Sequence, residues 1–184
     1  MTWWMFLLTA LWFILPGYAG NSFPVIFKRV LPQLAKPIDG GKSWRGVRIF
    51  GNNKTWRGLL LGSIGGMVIA GVQAWLASAN EFIASITLAP FGEVHWALFG
   101  FLMGFGVLFG DAIESFFKRR RGIKPGQSWF PFDQIDALVG ALALVYIVFP
   151  VPWEFLVFYL LFVPALHLIS NVVAYWLGIK ETWT

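Results

Sequence analysis

Residues Val94–Asp136 read VHWALFGFLMGFGVLFGDAIESFFKRRRGIKPGQSWFPFDQID and carry an apolar run directly into a dense group of charges. Val94 to Phe117 exceeds the roughly 20 residues that a helix needs to cross hydrocarbon. Gly100, Gly104, Gly106 and Gly110 give this run a small-residue surface on which another helix can pack closely. Acids enter only in its last turns. If the helix continues, Asp111, Glu114, Ser115 and Lys118 fall at i, i+3, i+4 and i+7 and share one face. Ionisable groups are expensive at membrane depth, so such a stripe faces a bundle interior or a water-filled cavity. Two readings stay open here: an ion or substrate site, or an ion pair to Lys118 that fastens the helix end.

The rest of the chain fits the same solvent. It is 58% hydrophobic and 12% charged, against about a quarter charged for a soluble domain. Further apolar runs occupy Trp3 to about Tyr18, Leu59–Ala77, Ala137–Phe149 and Phe155–Leu177. They predict a single all-α integral membrane domain of about five transmembrane helices in one bundle. The first run lacks the basic start of a cleaved signal peptide and is expected to be retained. Gly58, Gly62 and Gly66, four apart, predict close packing of the second helix. Phe27, Val30, Leu31 and Leu34 have helical spacing and suggest a segment along the membrane surface.

Charge placement gives the orientation. Eight of the 14 basic residues lie in the first loop, about 28–58, and five in the loop about 118–134. The positive-inside rule makes both loops and the C-terminus cytoplasmic and leaves the N-terminus outside. The net charge of +5 is then a phosphate-attracting patch beside membrane lipids, and no nucleic-acid partner is expected. With no cysteine, thiol catalysis and Cys-based zinc sites are excluded, and two histidines, His95 and His167, leave little for a histidine metal site.

Asp133 and Asp136 open the fourth run three residues apart, which predicts one shared helix face. Capping accounts for Asp133 but poorly for a second acid followed by Ala137-Leu138-Val139. Together with Asp111 they place three carboxylates at the same end of consecutive antiparallel helices. Hard oxygen ligands beside a cationic surface favour Mg²⁺ shared with substrate phosphates. In the first loop, Lys42-Ser43-Trp44-Arg45-Gly46 recurs as Lys54-Thr55-Trp56-Arg57-Gly58, and each copy offers phosphate donors. Gly41-Lys42-Ser43 is not the end of a P-loop, because the required first glycine position is Lys36.

The pattern Gly110-Asp111-x-x-Glu114-Ser115-x-x-Lys118-Arg119, then Lys124, then Asp133-x-x-Asp136, resembles the signature of membrane CTP:lipid-phosphate cytidylyltransferases. With Phe50-Gly51-Asn52-Asn53-Lys54-Thr55-Trp56-Arg57-Gly58, the chain is most similar to the archaeal CDP-archaeol synthases. The resemblance implies a multi-pass cell-membrane enzyme with its site on the cytoplasmic side. It would transfer CMP from CTP to 2,3-bis-O-(geranylgeranyl)-sn-glycerol 1-phosphate, an isoprenoid ether-lipid phosphate, with Mg²⁺. It also implies that Asp111, Asp133 and Asp136 are metal and catalytic carboxylates, with Lys118 catalytic beside them. Lys54, Thr55, Arg57, Glu114, Ser115, Arg119 and Lys124 would contact substrate. The chain departs from the bacterial and eukaryotic signature at Lys124-Pro125, at Phe130-Pro131-Phe132 and at Gln134, and Asp111 is the candidate to supply the missing aspartate. A lateral gap lined by Gly, Phe and Leu is expected to admit the lipid. The alternative from another class is a small cation-coupled transporter or channel, but no charge interrupts the middle of an apolar run. The longer signature of the CDP-alcohol phosphotransferases does not fit Asp133 and Asp136.

Overall fold

The computed structural model describes residues 1–124 and 127–176. Its helices are α1 (Trp3–Ile26), α2 (Trp56–Ala79), α3 (Glu81–Ile86), α4 (Trp96–Arg120), α5 (Asp136–Tyr146) and α6 (Trp153–Trp176). By length and apolar composition, α1, α2 and α4 can each cross a membrane. The 11 residues of α5 rise only about 16 Å, roughly half of a hydrocarbon core. The expected crossing at Phe155–Leu177 corresponds to α6, and its last residue lies outside the described part of the chain. The expected cytoplasmic C-terminus, with Lys180, lies outside it too.

α4 is the central helix because glycines let two neighbours reach its backbone on different faces. A Cβ on Gly66 of α2 would run into the Gly100 carbonyl and lie 2.9 Å from Gly104 Cα. On another face, a Cβ on Gly110 would meet the Asp136 carbonyl and lie 3.0 Å from Gly140 Cα of α5. In lipid this close packing holds helices together, since burying apolar surface gains little there. Gly58 is not part of the stripe: its nearest neighbour is Thr55 Oγ1, the cap of its own helix. Phe13, Phe99, Met103, Val145 and Tyr159 fill the core among α1, α4, α5 and α6, and Tyr159 Oη donates to the Ala10 carbonyl at 2.8 Å.

The segment expected along the membrane surface is not a helix. α1 runs on through Pro24 to Ile26, and the chain then turns into a 3₁₀ turn at Pro32–Leu34. Pro32 disfavours helical geometry at the residue before it, and Leu31 takes a left-handed conformation with φ 51°. The two similar pentapeptides also fold differently. Ser43–Trp44 pairs with Val47–Arg48 as a small antiparallel hairpin, β1 and β2, turning at Arg45 (φ 53°) and Gly46 (φ 78°). The second copy instead starts α2, with Thr55 Oγ1 accepting from the Gly58 N–H at 3.1 Å. The residues C-terminal to each copy decide its structure: Val47-Arg48-Ile49 continues a strand, Leu59-Leu60-Leu61 a membrane helix.

Candidate active site

The first loop is organised around Asp39. Its side chain is fully buried and accepts from the N–H groups of Gly41, Phe50 and Gly51, each at 3.0 Å, and from the Arg48 guanidinium at 2.8 Å. Burial pushes the carboxyl up, but the Gly51 N–H, the Arg48 guanidinium and the Phe50 and Gly41 N–H groups prevail and hold it well below the usual carboxylate range. Next to this cluster the Ile38 N–H donates to the Lys54 carbonyl at 2.8 Å and the Trp56 N–H to the Lys36 carbonyl at 3.1 Å. These bonds fix the backbone at Lys54 and just after it, and Lys54 Nζ lies 2.5 Å from Asp111 Oδ2. The hairpin is fastened separately, by Trp44 stacked on Phe116 and by the Arg120 guanidinium against both rings.

α4 presents the expected stripe. Glu114, Ser115 and Lys118 are buried and Asp111 is half-buried, and α4 continues unbroken past all four. The helix stops at Gly122 (φ 73°), where the Ile123 N–H reaches back to the Lys118 carbonyl and the Gly122 N–H to that of Arg119. Lys118 Nζ bridges two carboxylates, lying 3.1 Å from Glu114 Oε1 and 2.9 Å from Asp133 Oδ1.

Asp133 and Asp136 do not share a helix face. Asp133 sits in the 3₁₀ turn Phe132–Gln134, and Ile135 (φ −122°, ψ −15°) separates it from Asp136, the first residue of α5. Asp133 turns to Lys118 and accepts from the Trp129 N–H at 3.0 Å. Burial raises its carboxyl, but hydrogen bonding with the Glu114 carboxyl, the Trp129 N–H and Lys118 outweighs this and holds it below the usual range.

Carboxylate oxygens of Asp111, Glu114 and Asp136 lie within 4.8 Å of one another. This trio differs from the set expected from sequence, with Glu114 in the place of Asp133. It fits a divalent cation by chemistry, offering three hard oxygen donors. Glu114 Oε1 is buried and its polar neighbour is the Lys118 ammonium at 3.1 Å, so this carboxylate is shared between the ion pair and the cluster.

Two cavities meet at Asp111. One, of 550 Å³, is polar on its loop side, where Asn52, Asn53, Lys54, Thr55 and Arg57 line it. The other, of 440 Å³, runs between α1, α4, α5 and α6, with Val107, Leu138, Leu142 and Val163 on its walls and Asp111, Asp133 and Asp136 at one end. Where a gap lined by Gly, Phe and Leu is expected, this cavity has Gly17, leucines and Tyr18 on its walls and no phenylalanine. Of the remaining candidates, Arg119 is half-buried with an unpaired Nε, and Lys124 is exposed with no side-chain ion pair among the described residues. Pro125 lies outside the described residues. His95 caps α4, its Nδ1 accepting from the Ala97 N–H at 3.2 Å. Spacing gave Glu114 a place on the stripe; nothing in the sequence marked Asp39 as the centre of a loop.

The chain is 40% identical over 172 residues to the CDP-archaeol synthase of Methanococcus aeolicus, covering 93% of each protein. To that of Methanocaldococcus jannaschii it is 37% identical over 179 residues, 96% of this chain and 97% of the relative. A solved structure of an intramembrane enzyme for archaeal membrane lipids biosynthesis superposes with a TM-score of 0.66 at 32% identity. That match covers 89% of this chain and 92% of the other. A family model described as CarS-like, CDP-archaeol synthase, matches residues 3–184, and the chain belongs to that family.

Proposed function

We propose that the protein transfers CMP from CTP to 2,3-bis-O-(geranylgeranyl)-sn-glycerol 1-phosphate, releasing pyrophosphate, in archaeal membrane lipid synthesis. Family membership carries the cytidylyltransferase activity. One observation supports the assignment of the site: Asp111 lines both the polar cavity and the aliphatic groove, so a water-soluble nucleotide and a lipid can reach the same carboxylate from different directions. The transporter alternative gains nothing from the relatives.

In the reaction an oxygen of the lipid phosphate bonds to the α-phosphorus of CTP as the bond from that phosphorus to the bridging oxygen breaks. The lipid phosphate is substantially dianionic near pH 7, its second pKa being about 6, so no strong general base is needed. Repulsion between two polyanions is the obstacle. Lys54 and Arg57, on the wall of the polar cavity, are positioned to take triphosphate oxygens, and Thr55 retains a hydroxyl hydrogen to donate while its oxygen caps α2. Lys118, held by Glu114 and Asp133, places positive charge beside the transferred group. Asp111, Glu114 and Asp136 would hold Mg²⁺, which when bound neutralises phosphate charge and aligns the attack. Asp133 is read as orienting Lys118 more than as a ligand.

The bundle is read as five crossings, α5 being the short one, with the carboxylate end cytoplasmic. The basic loops at that end support this orientation. The test is purified protein in detergent with labelled CTP, Mg²⁺ and either the ether-lipid phosphate or phosphatidic acid. CDP-lipid is expected from the ether lipid, and absence of product from both lipids refutes the assignment.

A further inference from the structure

Gln134 stands between the two aspartates of the second loop, and no step of the cytidylyl transfer uses it. The 3₁₀ turn and the break at Ile135 send three neighbouring polar side chains apart. Asp133 goes to Lys118, Asp136 to the carboxylate trio, and Gln134 lines the aliphatic groove. Only 5% of Gln134 is exposed, and its carboxamide makes no hydrogen bond among the described residues, with Oε1 buried. A buried amide without a partner costs about 1–3 kcal/mol. The neighbouring walls of Val107, Leu138 and Leu142 show that an apolar residue would suit the groove's packing without that cost.

The groove changes character at this residue, from aliphatic walls along α5 and α6 to carboxylates at its end. A molecule filling it is an amphiphile, and Gln134 lies at the level where the polar head joins the tails. A lysine or arginine here would pair with Asp133 or Asp136 and compete with a divalent cation for them. A carboxamide donates two N–H groups without adding charge, and its broad terminal torsion lets Nε2 turn into the groove.

We propose that Gln134 contacts the substrate, its carboxamide hydrogen-bonding the glycerol-phosphate end of the lipid and setting the depth at which the phosphate meets Asp111, Glu114 and Asp136. This inference rests on the cytidylyltransferase activity, and wild-type protein in the same assay tests that activity separately. The variants are Gln134→Leu, which removes the hydrogen bond, and Gln134→Asn, which keeps polarity but shortens the reach by one methylene. Steady-state rates are measured with lipid phosphate varied at saturating CTP, then with CTP varied at saturating lipid. Losing one hydrogen bond to a charged group predicts a rise in KM for the lipid of about tenfold in both variants. KM for CTP is expected to stay within about twofold, because a single hydrogen bond acts on the ligand it touches. An unchanged lipid KM in either variant overturns the proposal. A parallel rise in both KM values also overturns it and makes Gln134 a residue that holds the loop. If the wild type forms no CDP-lipid, the enzyme assignment fails instead.

Discussion

Gly110→Ala tests whether the α4–α5 contact sets the position of Asp136. A Cβ at residue 110 would lie 2.9 Å from the Asp136 carbonyl carbon and 3.0 Å from Gly140 Cα, and closer still to the Asp136 carbonyl oxygen. Ordinary contact begins at 3.4 Å, so α5 must retreat by at least about half an ångström. Every atom met is backbone, which leaves no flexible side chain to give way. Asp136 is the first residue of α5 and moves with it, away from Asp111 and Glu114. Misplacement of reacting groups by about 1 Å costs about 100-fold, so a shift of this size predicts a loss in kcat of about tenfold or more. Overpacking adds about 1–3 kcal/mol of destabilisation, visible as a lower Tm. The assay is CDP-lipid formation at saturating CTP and lipid phosphate, with Gly71→Ala as control. That Cβ would meet only the Trp96 ring, at 3.2 Å, a side chain able to turn, and wild-type kcat is expected. Wild-type kcat in folded Gly110→Ala would refute the claim that this glycine contact positions the carboxylate.

Lys54→Met should raise KM for CTP by at least about tenfold. It should also strengthen Mn²⁺ binding without nucleotide, read by paramagnetic titration, because it removes the ammonium beside Asp111; weaker Mn²⁺ binding would contradict the competition. Chelation with EDTA should abolish CDP-lipid formation and added Mg²⁺ restore it, whereas turnover surviving chelation removes metal from the scheme. Asp39→Asn should speed hydrogen exchange at the Phe50 and Gly51 amides by about 100-fold, the effect of losing about 3 kcal/mol from a buried carboxylate with a guanidinium partner. Because the folded-state pKa of Asp39 is depressed, its contribution is complete above the unfolded value of about 4 and is lost as pH falls through the folded value. Exchange protection corrected for intrinsic rates should therefore be level from pH 5 to 7 and decline only below about pH 4. A decline between pH 7 and 5 would assign the loop's order to another group.

The membrane helices are legible because long apolar runs end at charges, and the stripe on α4 is legible because a helix that continues fixes which side chains share a face. Asp133 is different. Its spacing from Asp136 imitates one helical turn, yet Ile135 breaks the helix between them, so one acid turns to Lys118 and the other to the trio. The pentapeptide repeat misleads for a related reason. Five residues carry no preference strong enough to outweigh their C-terminal neighbours, and Gly46 takes a left-handed turn where Gly58 packs inside a helix cap. Asp39 is illegible as well, because its role depends on backbone N–H groups brought to it from Phe50 and Gly51, eleven and twelve residues later.

Charge balance links the loops to the chemistry. Among the described residues, Asp111, Glu114, Asp133 and Asp136 face two ammonium groups in direct contact, Lys54 and Lys118, which leaves an excess of two negative charges when all are ionised. One divalent cation would cancel that excess. The two lysines differ in what holds them. Lys118 is buried on α4 between Glu114 and Asp133, neither of which lines the polar cavity. Lys54 comes from a loop and contacts a single carboxylate at the mouth of the cavity, so an arriving triphosphate can draw it from Asp111 and expose that oxygen to a metal. On this arrangement a nucleotide and a divalent cation would assist each other's binding, since each would remove a charge that opposes the other. The buried cluster at Asp39 would serve this by keeping the loop backbone fixed while the Lys54 side chain changed partner.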